Sequence, residues 1–227
     1  MSHLHITDDL LQWQLALFGY LTTLFIIGYI LITTKKEELF NNIAKLGIMS
    51  ALMLIVMSIP LGIPFHLNLS ILTALIIGPK LGFISIFLVN IILATFGHGG
   101  ITVVGLNTLI MGSEVFIGYY LFSFLLTKGL KWQYALFTTV LLALIISASL
   151  MITVVGIGGI EPAFVYHSCD HDHGEDVTTG ENLTYSRFAM LVLGIVLFGA
   201  TIEGLVILII VNYFRKIRPD YLLKGGF

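Results

Sequence analysis

The sequence predicts an all-α integral membrane protein, a bundle of seven transmembrane helices (six on the alternative count) with its N-terminus outside and its C-terminus cytoplasmic. Composition is the first reason. Hydrophobic residues make up 57% of the 227 and charged residues 11%, whereas a soluble domain carries roughly 25% charged residues. Too few polar side chains remain to cover a water-facing surface. The second reason is length: the apolar stretches approach the ~20 residues that a helix needs to cross a bilayer. The third is the placement of charge. Cytoplasmic loops are enriched in Lys and Arg, and a seven-helix alternation gathers Lys35, Lys36, Lys45, Lys80, Lys128, Lys131, Arg215, Lys216, Arg218 and Lys224 on one side. Of the 11 basic residues, Arg187 alone falls on the other. A six-helix count breaks this pattern after Lys80.

Each helix is bounded by a polar or Gly/Pro break. The first spans 11–33 and ends before Lys35-Lys36; the second, 43–61, ends before Pro64-Phe65-His66. The third and fourth, 67–79 and 81–96, are short and divided by Gly78-Pro79-Lys80. Proline lacks a donor and disfavours helix in the residue before it, so this tripeptide reads as a tight turn. After Gly97-His98-Gly99-Gly100 the fifth helix runs 102–127, the sixth 133–158 and the seventh 187–214. The whole chain, 1–227, reads as one transmembrane domain with a His/Asp-rich extracellular loop at 159–186. Cys169 is the sole cysteine, which excludes an intrachain disulfide and a four-cysteine zinc site. Met1 to Asp9 are polar and lack a basic start, so no cleavable signal peptide is expected.

The topology drawn from Lys and Arg also sorts the histidines. All seven (His3, His5, His66, His98, His167, His171 and His173) fall at outer helix ends or in outer loops, as do Asp8, Asp9, Glu161, Asp170, Asp172, Glu175, Asp176 and Glu181. Neutral imidazole is the commonest ligand for Ni, Zn, Cu and Co-type ions. The segregation therefore points to capture of a transition-metal ion from outside, against the plainer reading that histidine suits a polar interface.

The start, Met1-Ser2-His3-Leu4-His5, has chelating character. If Met1 is removed, the Ser2 amine, the His3 backbone nitrogen and the His3 Nδ1 offer three nitrogens in one plane. A distant histidine completes a square, which suits Ni(II) or Cu(II). If Met1 is kept, a histidine in third position is also a planar nitrogen chelator. The candidate partners are His66 and His98, both in short outer turns, and the glycines around His98 permit close backbone approach. Each histidine taken singly is equally well read as a hydrogen-bonded interfacial residue.

Glu114 and Glu203 lie mid-helix. A carboxylate at the bilayer centre costs several kcal/mol, about 2.5–3.5 on insertion scales, so such residues face a cavity or a partner. Asn107, Met111 and Glu114 share a helix face, and Asn90 lies in the fourth helix. These residues either line a cation path or fix the bundle by interhelical hydrogen bonds. The loop His167-Ser168-Cys169-Asp170-His171-Asp172-His173-Gly174-Glu175-Asp176 is rich in metal donors, yet a solvated acidic loop explains any one of them. There is no Gly-x-x-x-x-Gly-Lys-Ser/Thr loop for a nucleotide and no His-Glu-x-x-His helix for a zinc protease.

Several motifs resemble the CbiM/NikM family, the membrane-embedded substrate-binding subunits of cobalt and nickel energy-coupling-factor transporters. They are Phe65-His66-Leu67-Asn68, Leu75-Ile76-Ile77-Gly78-Pro79, Phe96-Gly97-His98-Gly99-Gly100-Ile101-Thr102, Gly105-Leu106-Asn107-Thr108, Met111-Gly112, Glu203-Gly204-Leu205 and Arg218-Pro219-Asp220. The start His5-Ile6-Thr7-Asp8 is similar to the family's Met-His-Ile-x-Asp-Gly opening, with Asp9 in place of its glycine. The resemblance implies a planar nitrogen site in which the N-terminus folds into the bundle and His66 supplies a ligand. Because the matching histidine is His5, either Ser2 and His3 form the clamp or His5 binds without the terminal amine, with His98 supporting or ligating. It implies Ni²⁺ or Co²⁺ as transported substrate, no cofactor and no catalytic residues. It further implies a multi-pass protein of a prokaryotic cell membrane that binds no nucleic acid. A transmembrane coupling subunit and two ATPase subunits drive such transporters, and toppling of the bundle in the bilayer releases the ion inside. A self-sufficient secondary transporter using Glu114 and Glu203 as relays is the alternative, and an intramembrane metalloenzyme a third.

Overall fold

The computed structural model describes residues 13–59, 66–97, 100–158, 185–217 and 222. Ser2, His3, His5, His98 and residues 159–184, singled out from the sequence, lie outside these described residues. Within them the chain is helical: α1 (Trp13–Thr33), α2 (Lys36–Met57), α3 (Ser70–Thr95), α4 (Val104–Thr127), α5 (Trp132–Ile157) and α6 (Tyr185–Ile217). By length and composition all six are long and apolar enough to cross a membrane, α3 only when counted across its break at Gly78. The chain is a multi-pass membrane protein. Its outer surface carries the large apolar side chains that lipid would cover, among them Phe25, Ile32, Met190 and Ile209.

α2 starts at Lys36, well before the expected 43. Its polar first turns belong to the helix, with Glu37 and Glu38 placed where the helix dipole favours negative charge. α6 has 33 residues, about 50 Å of helix at ~1.5 Å per residue, against a hydrocarbon core of ~30 Å.

α3 is two helices joined by a break. Gly78 has φ 86° and ψ 164°, non-helical values that glycine adopts without steric penalty. The chain reverses there. A Cβ on Gly82 would lie 3.7 Å from Ala74 Cα, and Thr73 and Ser85 hydroxyls both donate to Met53 Sδ, at 3.1 and 3.9 Å. In one straight helix Thr73 and Ser85 would stand about 18 Å apart. The break at Gly78-Pro79-Lys80 is therefore a tight turn between two antiparallel pieces. The first piece, 70–77, is only about 12 Å long and begins at residue 70, where 67 was expected. Every residue from Ser70 to Gly78 is buried, so the run is a mostly apolar helix packed on all sides.

The two ends of the bundle are distinct. Lys80 Nζ donates to Thr33 Oγ1 at 3.4 Å, and Arg215 stacks on the Trp132 ring 4.4 Å from its centroid. Those contacts place the Gly78 turn, the α1–α2 link, the start of α5 and the end of α6 at one basic end. At the other end the Tyr185 hydroxyl donates to Ile152 O at 2.7 Å and Tyr20 donates to Ile101 O.

Interhelical contact relies on small residues and polar pairs, as packing in lipid demands. A Cβ at Gly105 would lie 2.5 Å from Tyr20 N, so α1 and α4 touch through backbone, and Thr23 Oγ1 donates to Gly105 O at 2.8 Å. A Cβ at Gly112 would overlap the Phe83 ring, 2.4 Å from Cε2. Ser50 and Ser85 share a 2.7 Å hydrogen bond, and Asn90 Nδ2 donates to Thr108 Oγ1 at 3.2 Å.

Candidate functional site

After α2 the chain re-enters the bundle as a non-helical segment, His66-Leu67-Asn68-Leu69, which leads into the 70–77 half-helix. Irregular backbone at membrane depth is tolerated only where protein satisfies its polar groups. That condition is met here. The Asn68 N–H donates to Glu203 Oε2 at 3.4 Å, and the Leu69 N–H donates to Glu203 Oε1 at 3.1 Å. Asn68 Nδ2 donates to Glu114 Oε2 at 2.6 Å. Asn68 Oδ1 accepts the Ser70 N–H at 2.9 Å, an Asx turn that starts the half-helix. Leu69 takes φ 55°, ψ 22°, a left-handed conformation that a leucine holds only where its surroundings impose it.

His66 lies at the head of this segment on the wall of a cavity of about 90 Å³. The other polar lining groups are Asn68, Asn107, Glu114 and Ser147; Met57, Ile110, Met111, Leu144, Ala148, Met151 and Val196 complete the wall. Pockets for drug-sized molecules run roughly 300–1,000 Å³, so this one matches an ion with its immediate ligand atoms. Among the described residues no three His, Cys, Asp or Glu side chains converge, so His66 and Glu114 are the cavity's only residues of those four types.

Three residues read from the sequence as one face of a helix (Asn107, Met111 and Glu114) all line the cavity. Asn90 does not; it bonds to Thr108. Glu203 is fully buried and absent from the cavity wall, its oxygens taken by the backbone of the segment that carries His66. Asn68 and Ser147 were not singled out from the sequence. Asn68 closes the Phe65-His66-Leu67-Asn68 motif, and its meaning depends on carboxylates 46 and 135 residues away. Ser147 is one hydroxyl in an apolar helix and carries no local signal.

Fold and site together define a polytopic helical membrane protein with a histidine-bearing re-entrant segment beside a small, mainly apolar cavity that carries a few polar groups. Comparison with known proteins gives the family. Residues 5–221 match CbiM, the cobalt uptake substrate-specific transmembrane region, and the chain belongs to that family. Two solved structures share the fold. A transition metal transporter aligns with TM-score 0.72 at 19% identity, covering 94% of this chain and 93% of its own. A truncated transition metal transporter aligns with TM-score 0.71 at 19% identity, covering 93% and 98% respectively. No curated protein matches the chain.

Proposed function

We propose that this chain is the membrane-embedded substrate-binding subunit of an ATP-driven energy-coupling-factor importer for Ni²⁺ or Co²⁺. The observation that carries the reading is the placement of His66. It stands on a segment fastened by hydrogen bonds inside the bundle, at the wall of a small cavity. Membership of the CbiM family supports metal as the substrate. The remaining nitrogens come from the N-terminal residues, Ser2 with His3 or else His5, with His98 supporting or ligating. A transmembrane coupling subunit and ATPase subunits supply the energy, and the chain itself catalyses nothing. Glu114 on the cavity wall favours a second reading, a self-sufficient transporter with an acidic relay. That reading loses its other relay, because Glu203 lies off the cavity and bonds to backbone.

The test is nickel and cobalt titration of the purified protein. His66→Ala is expected to weaken binding by roughly two orders of magnitude, the scale on which a lost nitrogen donor leaves a square site incomplete. Whichever of His3→Ala and His5→Ala does the same identifies the clamp. Native affinity in all three variants overturns the reading.

A further inference from the structure

Glu203 has no place on the cavity wall, yet it holds the backbone that presents His66. Its two oxygens each take one N–H, from Asn68 at 3.4 Å and Leu69 at 3.1 Å. These donors stand just before the first turn of the 70–77 half-helix, where N–H groups lack intrahelical partners and the helix dipole favours an acceptor. Nothing else among the described hydrogen bonds reaches those two N–H groups. The carboxylate is 0% exposed and arrives from α6, which packs chiefly on α5.

Apolar residues also seat α6. Gly204 lies against Phe137, where an added Cβ would stand 2.9 Å from Cδ2. Val192, Val196, Ala200, Ile207 and Val211 bury the same helix in the apolar core. The carboxylate therefore has one contact that apolar packing does not duplicate, and it ends two residues from His66.

We infer that Glu203 is a positioning residue for the metal ligand His66: it sets the affinity for the ion without touching it, by holding the Asn68–Leu69 backbone in register. This rests on His66 being a ligand. Asn68 extends the arrangement, since its amide ties the same segment to Glu114 at 2.6 Å. Glu114 also lines the cavity and has a direct route to the ion, so Glu203 is the residue that isolates positioning from contact.

Glu203→Gln keeps the shape and the apolar contacts. Its single carbonyl oxygen accepts one of the two N–H groups, and its NH₂ opposes the other. Full-length native protein, Glu203→Gln, His66→Ala and the double variant are compared by nickel titration calorimetry. Residues that orient a metal ligand typically change affinity by roughly 10–100-fold when altered, and Glu203→Gln is expected in that range. The double variant should bind no more weakly than His66→Ala alone, because the glutamate acts through that histidine. In the metal-free protein, backbone amides of residues 66–70 should exchange with deuterium faster in Glu203→Gln while the melting temperature stays native. Glu203→Asp, which keeps the carboxyl group and draws the oxygens back by one methylene, shows the same changes at smaller size and serves if the glutamine variant does not fold. Native affinity in Glu203→Gln or Glu203→Asp, or losses that simply add in the double variant, overturn the inference. If His66→Ala weakens binding and the Glu203 variants do not, only the inference falls; if His66→Ala leaves binding intact, the reading of the site falls with it.

Discussion

Gly105 shows what a single residue decides in this bundle. It lets the α1 and α4 backbones touch, and a Cβ there would lie 2.5 Å from Tyr20 N and 2.6 Å from Gly19 C. Backbone cannot swing aside as a flexible side chain does. Gly105→Ala is expected to destabilise by about 1–3 kcal/mol, the range for overpacking. Gly28→Ala, with nothing within 4 Å of the added Cβ, should not. Melting of the two variants in detergent checks this, and equal curves would refute the contact. The Gly-x-Asn pattern at Gly105 and Asn107 was legible in the sequence as a motif; its reason was not, because that reason is the α1 backbone 85 residues earlier. Glu114 and Glu203 were conspicuous because a carboxylate in hydrocarbon demands a partner. Composition alone gave no sign that Asn68 was that shared partner.

Among the elements, the Gly78 hairpin is the part best read in advance. Glycine followed by proline is a local signal, and the break falls where those two residues put it. The depth of the 70–77 piece was harder, since a short apolar run looks the same whether lipid or protein surrounds it. The hairpin makes a definite claim about sides. With Lys80 bonded to Thr33, cysteines placed at Lys80 and at Lys36 should react with an impermeant thiol reagent from the same face of the membrane. A cysteine at Arg187 should react from the opposite face. Cys169, the native cysteine, is replaced by serine in all three. Labelling of Lys80→Cys and Lys36→Cys from opposite faces would contradict the hairpin.

For the whole molecule, the segregation of charge foretold the bundle's polarity. Lys80 pairs with Thr33 and Arg215 with Trp132 at the end that holds most of the described basic residues. Of the donor set named from the sequence, His66 lies on the cavity wall, while Ser2, His3, His5 and His98 lie outside the described residues. On the proposed function, a chain with no phosphate-cradling loop in its sequence would draw its energy from partner subunits. Nickel or cobalt uptake by cells expressing this chain is expected to require co-expressed coupling and ATPase subunits. Uptake of equal rate without them, abolished by collapsing the proton gradient, would favour the secondary-transporter reading.

The 70–77 half-helix bears on how anything moves past the cavity. From Asn68 at the wall it runs toward the basic end, with side chains from Ile71 to Ile77 no more than 6% exposed. It is a closely packed plug, apolar apart from Ser70 and Thr73. On the proposed function, an ion held at His66 would face this buried run on the side toward which it must travel. Delivery would then call for withdrawal of the plug or bodily re-orientation of the vessel that it closes.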